Sequence, residues 1–169
     1  IAIVGDILYS RVARSDIIAF QKMGAHVTVA CPNTLLPNEW QLGSVLDKST
    51  GFGDLKIASS VDEAIDSADV VMPLRIQQER QDAGHLPSFR EYSDRWGVNE
   101  TRMALANDGA LLMHPGPMNE GVEISSDVAH GNQSVIQEQV KNGVAVRMAV
   151  LYALCAPRKS TSPDNNQES

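Results

Sequence analysis

Five short apolar runs, at residues 1–4, 26–30, 55–58, 69–72 and 110–113, alternate with segments patterned as helices. Short runs rich in β-branched residues read as buried strands. The first two, Ile1-Ala2-Ile3-Val4 and His26-Val27-Thr28-Val29-Ala30, bracket a segment in which Val12, Ile17, Phe20 and Met23 recur at helical spacing and Gly24 supplies an ending. Strand, helix, strand within about thirty residues is a βαβ unit, which demands parallel pairing and a right-handed crossover. Repeated along the chain, the pattern predicts an α/β fold. Its form is a three-layer α/β/α stack around a mostly parallel, Rossmann-like, doubly wound sheet of four to five strands. The usual wrapping orders the strands 3-2-1-4-5, with 55–58 as an edge.

The remaining segments fill the helical layers. Residues 38–48 read as a helix with Trp40, Val45 and Leu46 turned inward. Ser60 followed by Glu63 is a capping-box pattern for a short helix over 61–67. Residues 82–107 read as helical and broken at Gly97, with Leu86, Phe89, Tyr92 and Trp96 as a core-facing stripe. Pro73 is expected to end the fourth strand early. Residues 132–141 and 144–154 read as two helices joined at Asn142-Gly143. Residues 157–169 contain no large apolar side chain and read as a disordered tail. The organisation expected is one domain over 1–155 and a polar tail over 156–169.

The 169 residues carry a net charge of −7. Nucleic acid and anionic membranes are bound chiefly by neutralising phosphates, so neither is an expected partner. No apolar run reaches the roughly 18 residues of a membrane span, and no signal peptide is seen. Cys31 and Cys155 match no metal spacing; free thiols in a reducing, cytoplasmic compartment are expected, with no metal and no cofactor. The chain opens at Ile1 in strand-like sequence with no initiator Met, as a piece of a longer polypeptide would.

Three segments carry chemistry. Ser10-Arg11 follows the first strand. Leu74-Arg75-Ile76-Gln77-Gln78-Glu79-Arg80 follows the fourth. His114-Pro115-Gly116-Pro117 follows the fifth. In the order 3-2-1-4-5 the winding reverses between strands one and four, where open α/β sheets hold ligands. Two guanidiniums meeting there suit a ligand with two carboxylates, since each planar fork accepts one bidentately. The bland alternative is that Arg11 and Arg75 pair with Glu79, Asp6 or Asp16. His114 reads as a general base or as a loop-fixing group. Gly116-Pro117 is a candidate cis peptide. A single glycine, Gly5, follows the first strand, so the dinucleotide fingerprint G-x-G-x-x-G is missing. A nicotinamide-dependent oxidoreductase is therefore the weakest reading; a non-catalytic dicarboxylate- or amino-acid-binding module is the stronger alternative to an enzyme domain.

The segments Ser10-Arg11-Val12-Ala13-Arg14-Ser15, residues 74–80, His114-Pro115-Gly116-Pro117-Met118-Asn119 and Gly121-Val122-Glu123-Ile124 resemble the C-terminal, aspartate-binding half of aspartate carbamoyltransferases. Asn142-Gly143-Val144-Ala145-Val146-Arg147-Met148-Ala149 fits as well, and the resemblance runs from Ile1 to about Cys155. The sister ornithine enzymes typically carry His-Cys-Leu-Pro at the proline loop. The resemblance implies that Arg11 and Arg75, assisted by Gln77, hold the carboxylates of L-aspartate. It implies that the main-chain carbonyls of Gly116 and Pro117 face carbamoyl phosphate, with His114 as loop support, and that the enzyme is a homo-oligomer, as a trimer. The family's Ser-Thr-Arg-Thr phosphate motif is absent from these residues, so no catalytic residue is expected within this chain, which alone should not turn over. Glu120 stands where the family often has Arg. In the family the last helix reaches the other domain, so Val144, Val146, Val150, Leu151 and Leu154 are expected to be exposed.

Overall fold

A computed structural model of the chain describes residues 1–41, 55–76 and 88–155. In order, these form β1 (Ala2–Val4), α1 (Arg11–Lys22), β2 (Val27–Ala30), a 3₁₀ turn (Asn33–Leu35), α2 (Asn38–Gln41), β3 (Leu55–Ile57) and α3 (Val61–Ile65). There follow β4 (Val70–Pro73), α4 (Phe89–Trp96), α5 (Glu100–Met103), β5 (Leu111–Leu112), α6 (Ser126–Ala129) and α7 (Ile136–Cys155). The strands form one sheet in the order β3-β2-β1-β4-β5, and each neighbouring pair is parallel. The expected fold class and strand order are both met.

Alternate residues of a strand point to opposite faces, and here both faces are covered. Ala2, Val4, Val71 and Leu112 pack on one side with Ala64 and Ile65 of α3, Met103 of α5 and Val128 of α6. Ile3, Val27, Val29 and Met72 pack on the other with Ala13 and Ile17 of α1 and Tyr92 of α4. Burial on two faces is why the strands read as unbroken apolar runs rather than alternating ones.

Pro73 does not cut β4 short. It sits beside Val4 in the ladder. The Leu74 N–H donates to Val4 O at 2.7 Å, so successive strand amides put the imino nitrogen of Pro73 on the β5 side. There the pairing has already ended at Val71 and Leu112, and no ladder bond is lost.

Helix α1 starts where Ser10 Oγ accepts the Ala13 N–H at 3.1 Å. It closes on Gly24, at φ +84°. There the N–H groups of Gly24 and Ala25 donate to the carbonyls of Gln21 and Phe20, each at 3.0 Å, the paired bonds of a Schellman ending. Its inward stripe differs from the expected one. Ala13 and Ile17 are fully buried, whereas Val12 is 37% and Met23 83% exposed. The small Ala13 lets the helix sit close to the sheet, which turns Val12 aside and leaves Met23 beyond the last packed turn.

The capping box at Ser60 forms in a shifted version. Ser60 Oγ accepts the Glu63 N–H at 3.1 Å, while the Glu63 carboxylate reaches back to the backbone and hydroxyl of Ser59. Gly97 does separate α4 from α5, and Tyr92 lies in the core with Phe89 and Trp96 packed against it. The end of α4 is closed by a side chain from α5. The Arg102 guanidinium donates to the carbonyls of Asp94, Arg95 and Gly97 and pairs with Asp62 at 2.9 Å.

The expected break at Asn142-Gly143 is absent: α7 is one helix from Ile136 to Cys155. A helical glycine costs about 1 kcal/mol relative to alanine, too little to end a long helix with no cap at that point. Its apolar face is open, with Val144 58%, Leu151 55% and Leu154 77% exposed. Val146 and Val150 are exposed too, matching the expectation for all five residues. Val45, Leu46 and Leu86 lie outside the described residues, as does the tail 156–169.

Candidate functional site

The site begins with a close approach of two strand exits. Gly5 follows β1 with φ +123°. A Cβ there would stand 3.0 Å from Leu74 O and 3.1 Å from Tyr92 Oη. Only glycine allows both the dihedral and the approach, and the approach sets where the chain leaves β4 towards Arg75. The loop after Gly5 is held by its own acid, since Asp6 Oδ1 accepts the Tyr9 N–H at 3.0 Å, an Asx-type turn. It is also held from the next βα connection, through a 2.8 Å bond from the Leu8 N–H to Leu35 O. The turn delivers Ser10 as helix cap and Arg11 as the first helical residue.

Arg11, Arg75, Gly116 and Pro117 line one cleft of about 260 Å³ at the C-terminal edge of the sheet, with Asp6, Tyr9, Ser10, Leu74 and Pro115. The three sequence segments therefore meet at the switch point between β1 and β4. Arg11 is exposed and pairs with no carboxylate among the described residues. Gln77, Glu79 and Arg80, at the far end of the fourth-strand motif, lie outside the described residues.

The Gly116–Pro117 peptide is cis, with Gly116 at φ +65°. The bend is supported from inside. His114 is fully buried, and its Nδ1 accepts the Gly116 N–H at 2.9 Å. The His114 N–H donates to Gln139 Oε1 on α7 at 2.8 Å. An Nδ1 that accepts leaves the proton of a neutral imidazole on Nε2, and Nε2 lies 3.4 Å from the buried Glu123 Oε1. The cleft walls thus hold two cationic forks, the carboxylate of Asp6, the hydroxyl residues Tyr9 and Ser10, and the proline-bend backbone. They carry no thiol nucleophile: Cys31, after β2, is buried, and burial first and Asp6 second push its thiol up to about 12. Burial likewise holds the Tyr92 phenol well above its ordinary range, with Glu123 adding to it.

Asp6 and Tyr9 were not singled out by sequence as lining residues; the signal available was the Asp three residues before Tyr that builds the turn. Glu123 and Asn119 appeared only as letters of a motif. Asn119 reaches Ile76, 43 residues away, and Glu123 meets Asn119 and His114 within the following loop; no periodic or capping pattern foretells these contacts. Among the described residues no helix is long and apolar enough to cross a membrane.

A family model described as the Asp/Orn-binding domain of aspartate/ornithine carbamoyltransferase matches residues 1–154. The aspartate carbamoyltransferase catalytic subunit of Pelotomaculum thermopropionicum is 55% identical over 154 residues, covering 91% of this chain and 47% of the relative. That of a Roseiflexus species is 56% identical over 156 residues, covering 91% and 46%. Among solved structures, ornithine carbamoyltransferase from Pyrococcus furiosus superposes with a TM-score of 0.72 at 27% identity, covering 89% of this chain and 48% of that one. The chain spans about half the length of these relatives. A cleft at the switch point, a parallel five-stranded sheet and a family match across nearly all described residues lead to one conclusion: this chain belongs to the aspartate/ornithine carbamoyltransferase family, as its amino-acid-binding domain.

Proposed function

We propose that this domain binds L-aspartate and presents its amine for carbamoyl transfer from carbamoyl phosphate, giving N-carbamoyl-aspartate and phosphate in pyrimidine biosynthesis. The observation that supports the reading is the one cleft lined by Arg11, Arg75 and the Gly116-Pro117 bend. Each guanidinium takes one carboxylate of the diacid. The carbonyls of Gly116 and Pro117 face the carbamoyl group, and His114 supports their loop. Gln77 assists the aspartate. The catalytic charge that binds phosphate and polarises the carbamoyl oxygen comes from the companion domain, which packs on the open face of α7. Bringing two anions together is the main task, and positioning supplies much of the rate. The working enzyme is a cytoplasmic homo-oligomer, a trimer, without metal or cofactor. The amine acceptor is aspartate rather than ornithine: relatives named for aspartate are more than half identical, and a second Arg fits a second carboxylate better than an ammonium.

Titration calorimetry of this chain with L-aspartate, succinate and L-ornithine tests the substrate class. Binding of the two diacids and not of ornithine is expected; selective ornithine binding overturns the reading. Carbamoyl transfer by the full-length gene product, with none by this chain alone, completes the test. Diacid binding by a full-length protein without transfer would make the domain a binding module.

A further inference from the structure

Beside the cleft, four buried polar atoms lack hydrogen-bond partners among the described residues: His114 Nε2, Glu123 Oε2, Ser125 Oγ and Tyr92 Oη. Such atoms are scarce in folded interiors, and each calls for a reason. Two belong to the pair formed by His114 and Glu123, which are 0% and 1% exposed. The carboxylate does more than face the imidazole. Glu123 Oε1 accepts the Asn119 N–H at 2.6 Å, and the Asn119 side-chain amide donates to Ile76 O at 2.9 Å. Ile76 follows Arg75 directly. One carboxylate oxygen thus stands between the group that holds the proline bend and the group that holds the exit of β4.

The backbone around Glu123 is itself fixed. Its carbonyl accepts the Val98 N–H at 3.0 Å, and the Ser125 N–H donates to Val98 O at 2.9 Å. The turn before it closes through Gly121 N–H to Ile124 O at 2.8 Å and Val122 N–H to Asn119 O at 3.1 Å. The carboxylate is therefore aimed from a rigid base, as an orienting group must be. The 3.4 Å approach to Nε2 is long for a hydrogen bond, so the carboxylate orients the ring chiefly by facing its one remaining proton.

We propose that Glu123 is a positioning residue of the cleft: its buried carboxylate orients His114 and, through Asn119, ties the Gly116-Pro117 bend to the strand exit that carries Arg75. The inference rests on the carbamoyl-transfer reading and deepens it, because it names what sets the distance between the carbonyl wall and the guanidinium wall. Glu123 touches no reacting atom. It acts through its neighbours, in the way outer groups orient the groups that do the chemistry.

The test uses the full-length gene product with Glu123→Ala, Glu123→Gln and Asn119→Ala. A glutamine oxygen can take the place of Oε1 and face both donors, so Glu123→Gln keeps kcat and KM within about threefold of wild type. Glu123→Ala lowers kcat by about tenfold to a hundredfold, measured well below its melting midpoint, as a small displacement of a positioned group does. Asn119→Ala keeps the carbonyl wall and loosens the strand exit, so it raises the KM for L-aspartate with little change in kcat. Nitrogen-15 spectra of His114 give a single Nε2–H tautomer in wild type and Glu123→Gln. A folded Glu123→Ala enzyme with unchanged kcat and KM overturns the proposal. If that variant does not fold, Glu123→Gln as inactive as a null, or Asn119→Ala with an unchanged aspartate KM, overturns it as well. Absence of carbamoyl transfer in the wild-type protein sinks the function reading instead, which keeps the two failures apart.

Discussion

The Arg11 wall and the Gly116-Pro117 wall line one cleft, yet they are held by contacts of different reach. Arg11 is placed mostly by neighbours in sequence, the Asp6 turn, the Ser10 cap and the first turn of α1, with one longer contact from Leu8 to Leu35. The proline bend is placed by groups far apart in the chain. His114 meets Gln139 on α7 and Glu123 in the following loop, and Asn119 reaches Ile76. The first wall is an exposed side chain on a locally specified helix. The second is backbone resting on buried polar side chains. Local caps each contribute a modest, independent amount, whereas buried networks fail together when one member is removed.

Variants can break this contrast in descending order of effect. Gly5→Ala places a Cβ 3.0 Å from Leu74 O at φ +123°; a loss of about 3 kcal/mol in unfolding free energy is expected, read by denaturant titration. Gly24→Ala is its control, because a Cβ there meets nothing within 4 Å and only the dihedral is strained. Equal losses would show that the approach of the strand exits is not what Gly5 serves. Arg75→Ala and Arg11→Ala each remove a charge-assisted contact contributing roughly 1.5–3 kcal/mol, so the Kd for L-aspartate should rise about tenfold or more by calorimetry. Lysine at either position should not restore it, for want of the planar fork. Ser10→Ala removes the cap of α1 for about 1 kcal/mol; melting should shift slightly while Arg75-side binding stays intact.

The smallest effect concerns Glu120. Its carboxylate accepts the Ser126 hydroxyl at 2.6 Å and faces His130 Nε2 at 3.1 Å. The hydrogen bond from Ser126 and then the one from His130 hold it below the usual carboxylate range. A depressed carboxylate stabilises the fold above its unfolded pKa, and that share is lost as pH falls through the folded one. Stability followed from pH 7 down to acid should therefore decline slightly less in Glu120→Gln than in wild type. An identical acid limb in both would show that the contact is too solvated to matter.

Where the sequence was readable, the physics was local or periodic. The apolar strand runs, the Ser60 cap, Gly24 and the interruption at Gly97 each follow from a few adjacent residues. The misread places show the opposite. Val12 looked inward by spacing, but the packing of Ala13 against the sheet decided the rotation of α1. Asn142-Gly143 looked like a helix end, but no capping contact formed and the ladder of α7 ran through it. The arginines were recognisable from their segments; that they share a cleft depended on the strand order.

The residues alone determined the class of fold, the parallel order of its strands and the three segments that carry polar chemistry, because βαβ handedness and strand burial leave few ways to wrap such a chain. Tertiary structure decided the spacing within the cleft. That spacing depends on a glycine letting two strand exits meet and on a buried carboxylate holding Asn119, whose side chain reaches Ile76 more than forty residues away. Contacts of that separation are set by the closed chain as a whole, and no neighbourhood of letters contains them.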